Sequence, residues 1–159
     1  MKIFIIVVAV ILCLVALVAL VKKKVVIVDA KARIADLPAI FSRLQATEQD
    51  GNFAALMFTQ PGKRSPDEAI NLQFSIERSH IGLDWVLLAP TNIRDKERFI
   101  KFVSNRGYKV VEREMNQVRY VRVEEGGSLP ALCKSVICEL YSISPETEMD
   151  LIPEGFTWP

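Results

Sequence analysis

INLQFSIE, residues 70–77, is the stretch on which the reading of the fold turns. Ile70, Leu72, Phe74 and Ile76 alternate with Asn71, Gln73, Ser75 and Glu77. Successive side chains of a strand point to opposite faces, so this segment predicts a strand with one dry face and one wet face. Arg78, Ser79 and His80 follow as a turn, and residues 81–88 (IGLDWVLL) return as the second arm of a hairpin. Within that arm Trp85 alternates with Leu83 and Leu87, which places it on the dry face.

Upstream, residues 53–59 (FAALMFT) form a short apolar run bounded by turn residues, read as a buried strand, and residues 60–68 form a polar loop. Before them, Asp36 reads as a helix N-cap with Pro38 in the first turn, where a missing N–H costs nothing. Leu37, Ile40, Phe41 and Leu44 supply the apolar stripe of that helix. Downstream, Pro90 ends the hairpin, and Asn92 is expected to cap a helix with Ile93, Phe99, Ile100 and Val103 inside. Gly107 suits its C-terminus. Residues 108–114 and 118–124 read as two strands around the turn Met115-Asn116-Gln117. Ser128 caps a last helix striped by Leu129, Leu132, Cys133, Val136, Ile137 and Leu140. Residues 149–152 are expected to be a final edge strand.

Hairpin-length connections predict an α+β domain, with an antiparallel sheet of about five to six strands and helices on one face. Its order is α-β-β-β-α-β-β-α, followed by a last β. Over residues 36–142 this order resembles the type III secretion chaperone-like fold. The resemblance implies a dimeric protein that binds another polypeptide rather than an enzyme; a membrane anchor departs from that family, whose members are soluble.

The N-terminal end carries a different signal. Residues 3–21 contain no charge and no strong hydrogen-bonding side chain, and Lys22, Lys23 and Lys24 follow directly. As a helix the run would cover about 28 Å, close to the thickness of a bilayer core. The expectation is therefore a single-pass anchor over residues 1–24, a juxtamembrane stalk over 25–35 and the α+β domain over 36–159. A cleaved signal peptide is the alternative, disfavoured because no small-x-small site ends the apolar run. Residues 22–33 carry Lys22, Lys23, Lys24, Lys31 and Arg33 against Asp29, and by the positive-inside rule this basic flank puts the domain in the cytoplasm, with the opposite orientation as the alternative. The two thiols Cys133 and Cys138 are expected to be one buried and one exposed on the last helix, which suits a reducing compartment. The lysine collar suits anionic lipid headgroups. Residues 34–159 carry 14 basic and 18 acidic side chains, a balance that argues against nucleic acid as a partner.

No motif for catalysis, cofactor or metal survives inspection. Gly62-Lys63-Arg64-Ser65 ends like a phosphate loop, but Met57 stands where the first glycine belongs. Gly126-Gly127-Ser128 precedes a helix, yet Glu124 and Glu125 would repel an anion there. His80 is the single histidine, with Glu77 before it and Asp84 after it, and is read as a polar turn residue. Glu112 and Glu114 share a strand face, which salt-laced exposed strands explain. The tail residues Phe156 and Trp158 are candidate partner contacts, or they dock back on the domain.

The expected function is that of a membrane-anchored, non-enzymatic protein-binding module of adaptor, chaperone-like or immunity type, with a protein partner or a second copy of itself. Two contrasting classes stay open. One is a small membrane-proximal enzyme using His80, Asp84 or the glutamate pairs as acids and bases. The other is a structural subunit of a membrane complex that makes its contacts through residues 3–21.

Overall fold

A computed structural model describes residues 30–63 and 65–159. Its strands are β1 (Ala30–Ala32), β2 (Phe53–Phe58), β3 (Ile70–Glu77), β4 (His80–Val86), β5 (Lys109–Met115), β6 (Val118–Glu125) and β7 (Met149–Glu154). They form one antiparallel sheet in the spatial order β1-β7-β2-β3-β4-β6-β5. The helices are α1 (Leu37–Gln45), α2 (Pro90–Arg94), α3 (Lys96–Ser104) and α4 (Leu129–Ser135), the last continuing as a π turn over Val136–Leu140.

β3 sets the register. Phe74 lies opposite Ala54 of β2 and Leu83 of β4, and Leu72 lies opposite Leu56 and Trp85. Beyond β4, Trp85 and Leu83 face Val121 and Val123 of β6. Paired residues share a face, so these side chains make one apolar surface. Leu37, Ile40 and Leu44 of α1, Phe99 and Val103 of α3, and Leu129, Leu132 and Cys133 of α4 close over it in one cluster. Trp85 is fully buried and stacked between Phe99 (4.8 Å) and Tyr141 (5.8 Å), with its indole N–H donating to the Asn92 carbonyl at 2.8 Å. Each such side chain contributes roughly 1.5–3 kcal/mol of burial, so the helix-covered face supplies most of the apolar stabilisation.

Tight turns hold the hairpins. Arg78 (φ 51°) and Ser79 (φ 63°) both adopt the left-handed conformation of the turn type that matches strand twist. Neither is glycine or asparagine. The carboxylate of Asp50 offsets the strain by accepting from the Arg78 and Ser79 N–H groups at 3.1 and 2.8 Å.

Several expectations are corrected here. The sheet has seven strands rather than five or six. Ala30–Ala32, expected in a stalk, is a strand paired with β7, and Ile34 behind it is buried. Residues 149–154 are not an edge: β7 lies between β1 and β2. The helix expected from Asn92 is two helices, and Asn92 sits inside the first of them. Its amide accepts from the Asn71 N–H at 3.0 Å and donates to the Asn71 carbonyl at 2.6 Å, tying the start of β3 to α2. The apolar run 3–21 and Lys22, Lys23 and Lys24 lie outside the described residues. Among the described residues no helix is long and apolar enough to cross a membrane, so the single-pass architecture and the cytoplasmic placement built on it have no support.

Candidate functional site

The face of the sheet away from the helices carries the wet half of the strand pattern, and at its middle that half is buried. Asp84 lies opposite Gln73 on one side and Arg122 on the other, while Gly82 lies opposite Ser75. Side chains of paired residues reach one another on a common face. The Arg122 side chain uses the space above Gly82: a Cβ built there would stand 2.4 Å from the arginine Cζ. Lying flat, the guanidinium donates through Nη1 to Asp84 Oδ1 and Ser75 Oγ, both at 2.8 Å. Through Nη2 it donates to the carbonyls of His80 (2.9 Å) and Ser75 (3.2 Å). Ser75 Oγ donates in turn to Asp84 Oδ2.

Arg122 is 1% exposed and Asp84 fully buried. A buried charge of this kind persists when it is paired and hydrogen-bonded; here both terminal nitrogens of Arg122 are bonded, while its Nε has no hydrogen-bond partner and lies 3.4 Å from Glu124 Oε1. Burial is the largest influence on the Asp84 carboxyl and pushes its pKa up to about 6; the charge of Arg122 and the Ser75 hydroxyl pull the other way. Around this pair, Tyr120 donates its hydroxyl to Glu77 Oε1, and burial followed by that glutamate raises the phenol's pKa. Arg113 of β5 donates to Glu124 and stands 3.8 Å from Glu77.

The end of the β5–β6 hairpin comes over this assembly. Met115, Asn116 and Val118 line a cleft of about 240 Å³ together with Gly51, Phe53, Ser75, Glu77, Val86 and Tyr120, although no ladder joins that hairpin end to β2 or β3. A second depression of about 320 Å³ adjoins it, sharing Gly51, Ile76, Glu77, Met115 and Tyr120 and adding Asp50, Arg78, Arg113 and Glu114. The result is a groove with apolar walls, a charged rim and a fixed polar base.

Comparison with protein-family models, with curated proteins and with solved structures finds no match for this chain. The likeness to type III secretion chaperones stands on the order of elements alone.

The residues singled out from the sequence are placed as follows. His80 is exposed at the β3–β4 turn, its ring Nδ1 2.7 Å from the Arg78 carbonyl; its own carbonyl, not its imidazole, joins the Arg122 network. Both oxygens of Asp84 are taken, by Arg122 and by Ser75. Glu112 is bound to Lys96 and Arg119, whereas Glu114 lies at the groove rim. Glu124 pairs with Arg113 and Glu125 with Lys109. Phe156 and Trp158 lie against the domain's own surface: the Trp158 indole donates to the Lys31 carbonyl at 3.1 Å, under the Arg43 guanidinium at 5.1 Å from its ring centre. Cys133 is buried, with its thiol pKa raised by that burial, and Cys138 is half-buried; both are free. Among the described residues no group of three or more His, Cys, Asp or Glu is disposed to hold a metal ion. Arg122, Ser75, Tyr120 and Gly82 are the members that sequence reasoning missed. The available signal was Gly82 itself, since a glycine inside a strand marks a close approach.

Proposed function

We propose that this domain is a non-enzymatic protein-binding module, adaptor, chaperone-like or immunity-type in kind, that receives a polypeptide on the free face of its sheet. The observation that carries this reading is the groove between β2–β3 and the β5–β6 hairpin end, built on the buried Arg122–Asp84–Ser75 network. Rigid base, apolar walls and polar rim are the anatomy of a protein recognition site. Apart from the Arg122 Nε, the network's groups are spent on each other, so their contribution is to hold the groove in one shape before a partner arrives, which lowers the ordering cost of binding.

The test is site-specific photocrosslinking in cells. A photoreactive residue at Met115, in the groove, should give a discrete polypeptide adduct, and one at the exposed Lys101 on α3 should not. Equal labelling from both positions, or none from Met115, would overturn the assignment of the partner to this face. Turnover of a small molecule lost with Asp84→Asn and His80→Ala would move the protein to the enzyme class.

A further inference from the structure

We infer that Arg122 has two seats, Asp84 at the base of the groove and the pair Glu77 and Glu124 beside it, and that a proton on Asp84 moves it from the first to the second. As regulation of binding this rests on the protein-binding reading above; the movement itself belongs to the free chain. Arg122 lies among three carboxylates. Its Nη1 is 2.8 Å from Asp84 Oδ1 and 3.6 Å from Glu77 Oε1, and its Nε is 3.4 Å from Glu124 Oε1. Asp84 therefore holds the hydrogen bond, and the other two stand about 0.6–0.8 Å beyond the usual charge-assisted distance.

The path between the seats is short. β3 and β6 flank β4 and run in the same direction, and on each the glutamate follows Ser75 or Arg122 on the same face. The second seat is thus one step further along both strands. Nη2 already reaches that way, since it bonds the carbonyl of His80, the residue paired with Glu77. The Nε of Arg122 is buried without a hydrogen bond, and so is the Nε of Arg113, 3.8 Å from Glu77 Oε2. Buried donors left unbonded gain from a shift that closes such gaps.

The proton decides which seat is taken. The groups facing Asp84 are Gln73, Ser75 and Glu77 of β3 and Tyr120 and Arg122 of β6, with Glu124 and, from β5, Arg113 beyond them. Of the three carboxylates around the guanidinium, Asp84 has the least contact with water: its side chain is 1% exposed, against 12% for Glu77 and 36% for Glu124. Burial lifts its pKa to about 6. Once neutral, Asp84 offers Arg122 an uncharged partner, and charge-assisted hydrogen bonds are roughly twice as strong as neutral ones. Glu77 and Glu124 then hold the cation. Glu77, Tyr120 and Arg113 line the groove together with Met115, so its wall moves with the arginine.

The experiment follows the Met115 methyl group by NMR in the full chain across about pH 4.5–8, with His80→Gln in every sample so that the single histidine does not titrate in the same window. The methyl shift should move with one midpoint near 6, that of the Asp84 carboxyl. Asp84→Asn, neutral at every pH, should hold the methyl at its low-pH position throughout. Joint Glu77→Gln and Glu124→Gln substitution removes the second seat, so the methyl should stay still while Asp84 titrates. Each variant is checked for a cooperative thermal transition, and the glutamine pair decides the matter if Asp84→Asn does not fold. A methyl that stays still while Asp84 titrates in the chain carrying His80→Gln alone, or one that still moves in either variant, would overturn the inference. A titrating methyl without any Met115 crosslink would remove the binding reading and leave the switch; a Met115 adduct beside a still methyl would do the reverse.

Discussion

A methyl group on residue 82 would collide with a guanidinium that is held by two side chains and two carbonyls and covered on all sides. Gly82→Ala should therefore cost about 2–4 kcal/mol, the range for breaking a buried charged network, read as a shifted urea midpoint with an unchanged slope. A loss under about 0.5 kcal/mol would mean that Arg122 swings out freely and the base of the groove is not fixed. Asp84 gives a second expectation at this scale. Its folded carboxyl holds a proton up to about 6, against 3.8 for the ordinary side chain, so the folded state binds more protons across that window. The stability it contributes is complete below 3.8 and is lost as pH rises through 6, a change of about 3 kcal/mol. Asp95 acts in the opposite sense: Arg94 lowers its pKa, so its share is present above the ordinary carboxylate value and fades on acidification. The carboxyl-carbon shift of Asp84 should titrate near 6, and a midpoint at the ordinary carboxylate value would show that Arg122 and Ser75 offset burial in full.

β5 lies at the end of the sheet, and its charges decide what can join it. In a two-fold pair of β5 edges, residues opposite each other must share a face, which allows only registers centred on a residue. Centring on Val111 sets Lys109 against Arg113, centring on Glu112 sets that carboxylate against its copy, and centring on Arg113 does the same for the guanidinium. Like charges directly opposite oppose pairing, so this edge guards itself against a second copy. Replacing Glu112 by Val and Arg113 by Thr should produce concentration-dependent dimers by light scattering; a wild-type chain that already dimerises through β5 would refute the argument. Elements of this kind were legible from the sequence because periodicity reports them directly. The alternation at 70–77 gave β3 to the residue, and the stripe from Leu129 to Leu140 is buried as expected. β1 was not legible, because Ala-Lys-Ala is too short to show a period. Nor was the base of the groove: Arg122 lies 47 residues from Ser75, and only the register of three strands brings them together.

At the scale of the molecule, the longest-range pairing is that of β1 with β7. Lys31 bonds Asp150 across 119 residues of chain, and Trp158 returns to the Lys31 carbonyl. Removing residues 149–159 should therefore unfold the domain rather than trim it, because among the described residues β1 loses its one partner strand and β2 its outer one. Cooperative unfolding retained by that truncation, followed by circular dichroism, would show the sheet to be complete without β7. The same interleaving bears on how the protein is made. A ribosome delivers β1 first and its mate only after everything between them, so each nascent chain carries an unanswered strand through most of its synthesis. Folding cannot proceed as growth from the N-terminal end; it waits for one late insertion that closes β1 and β2 at once. Until then the emerging polypeptide displays two open edges, and its dependence on holding factors in the cell should be set by the time taken to translate residues 33–148.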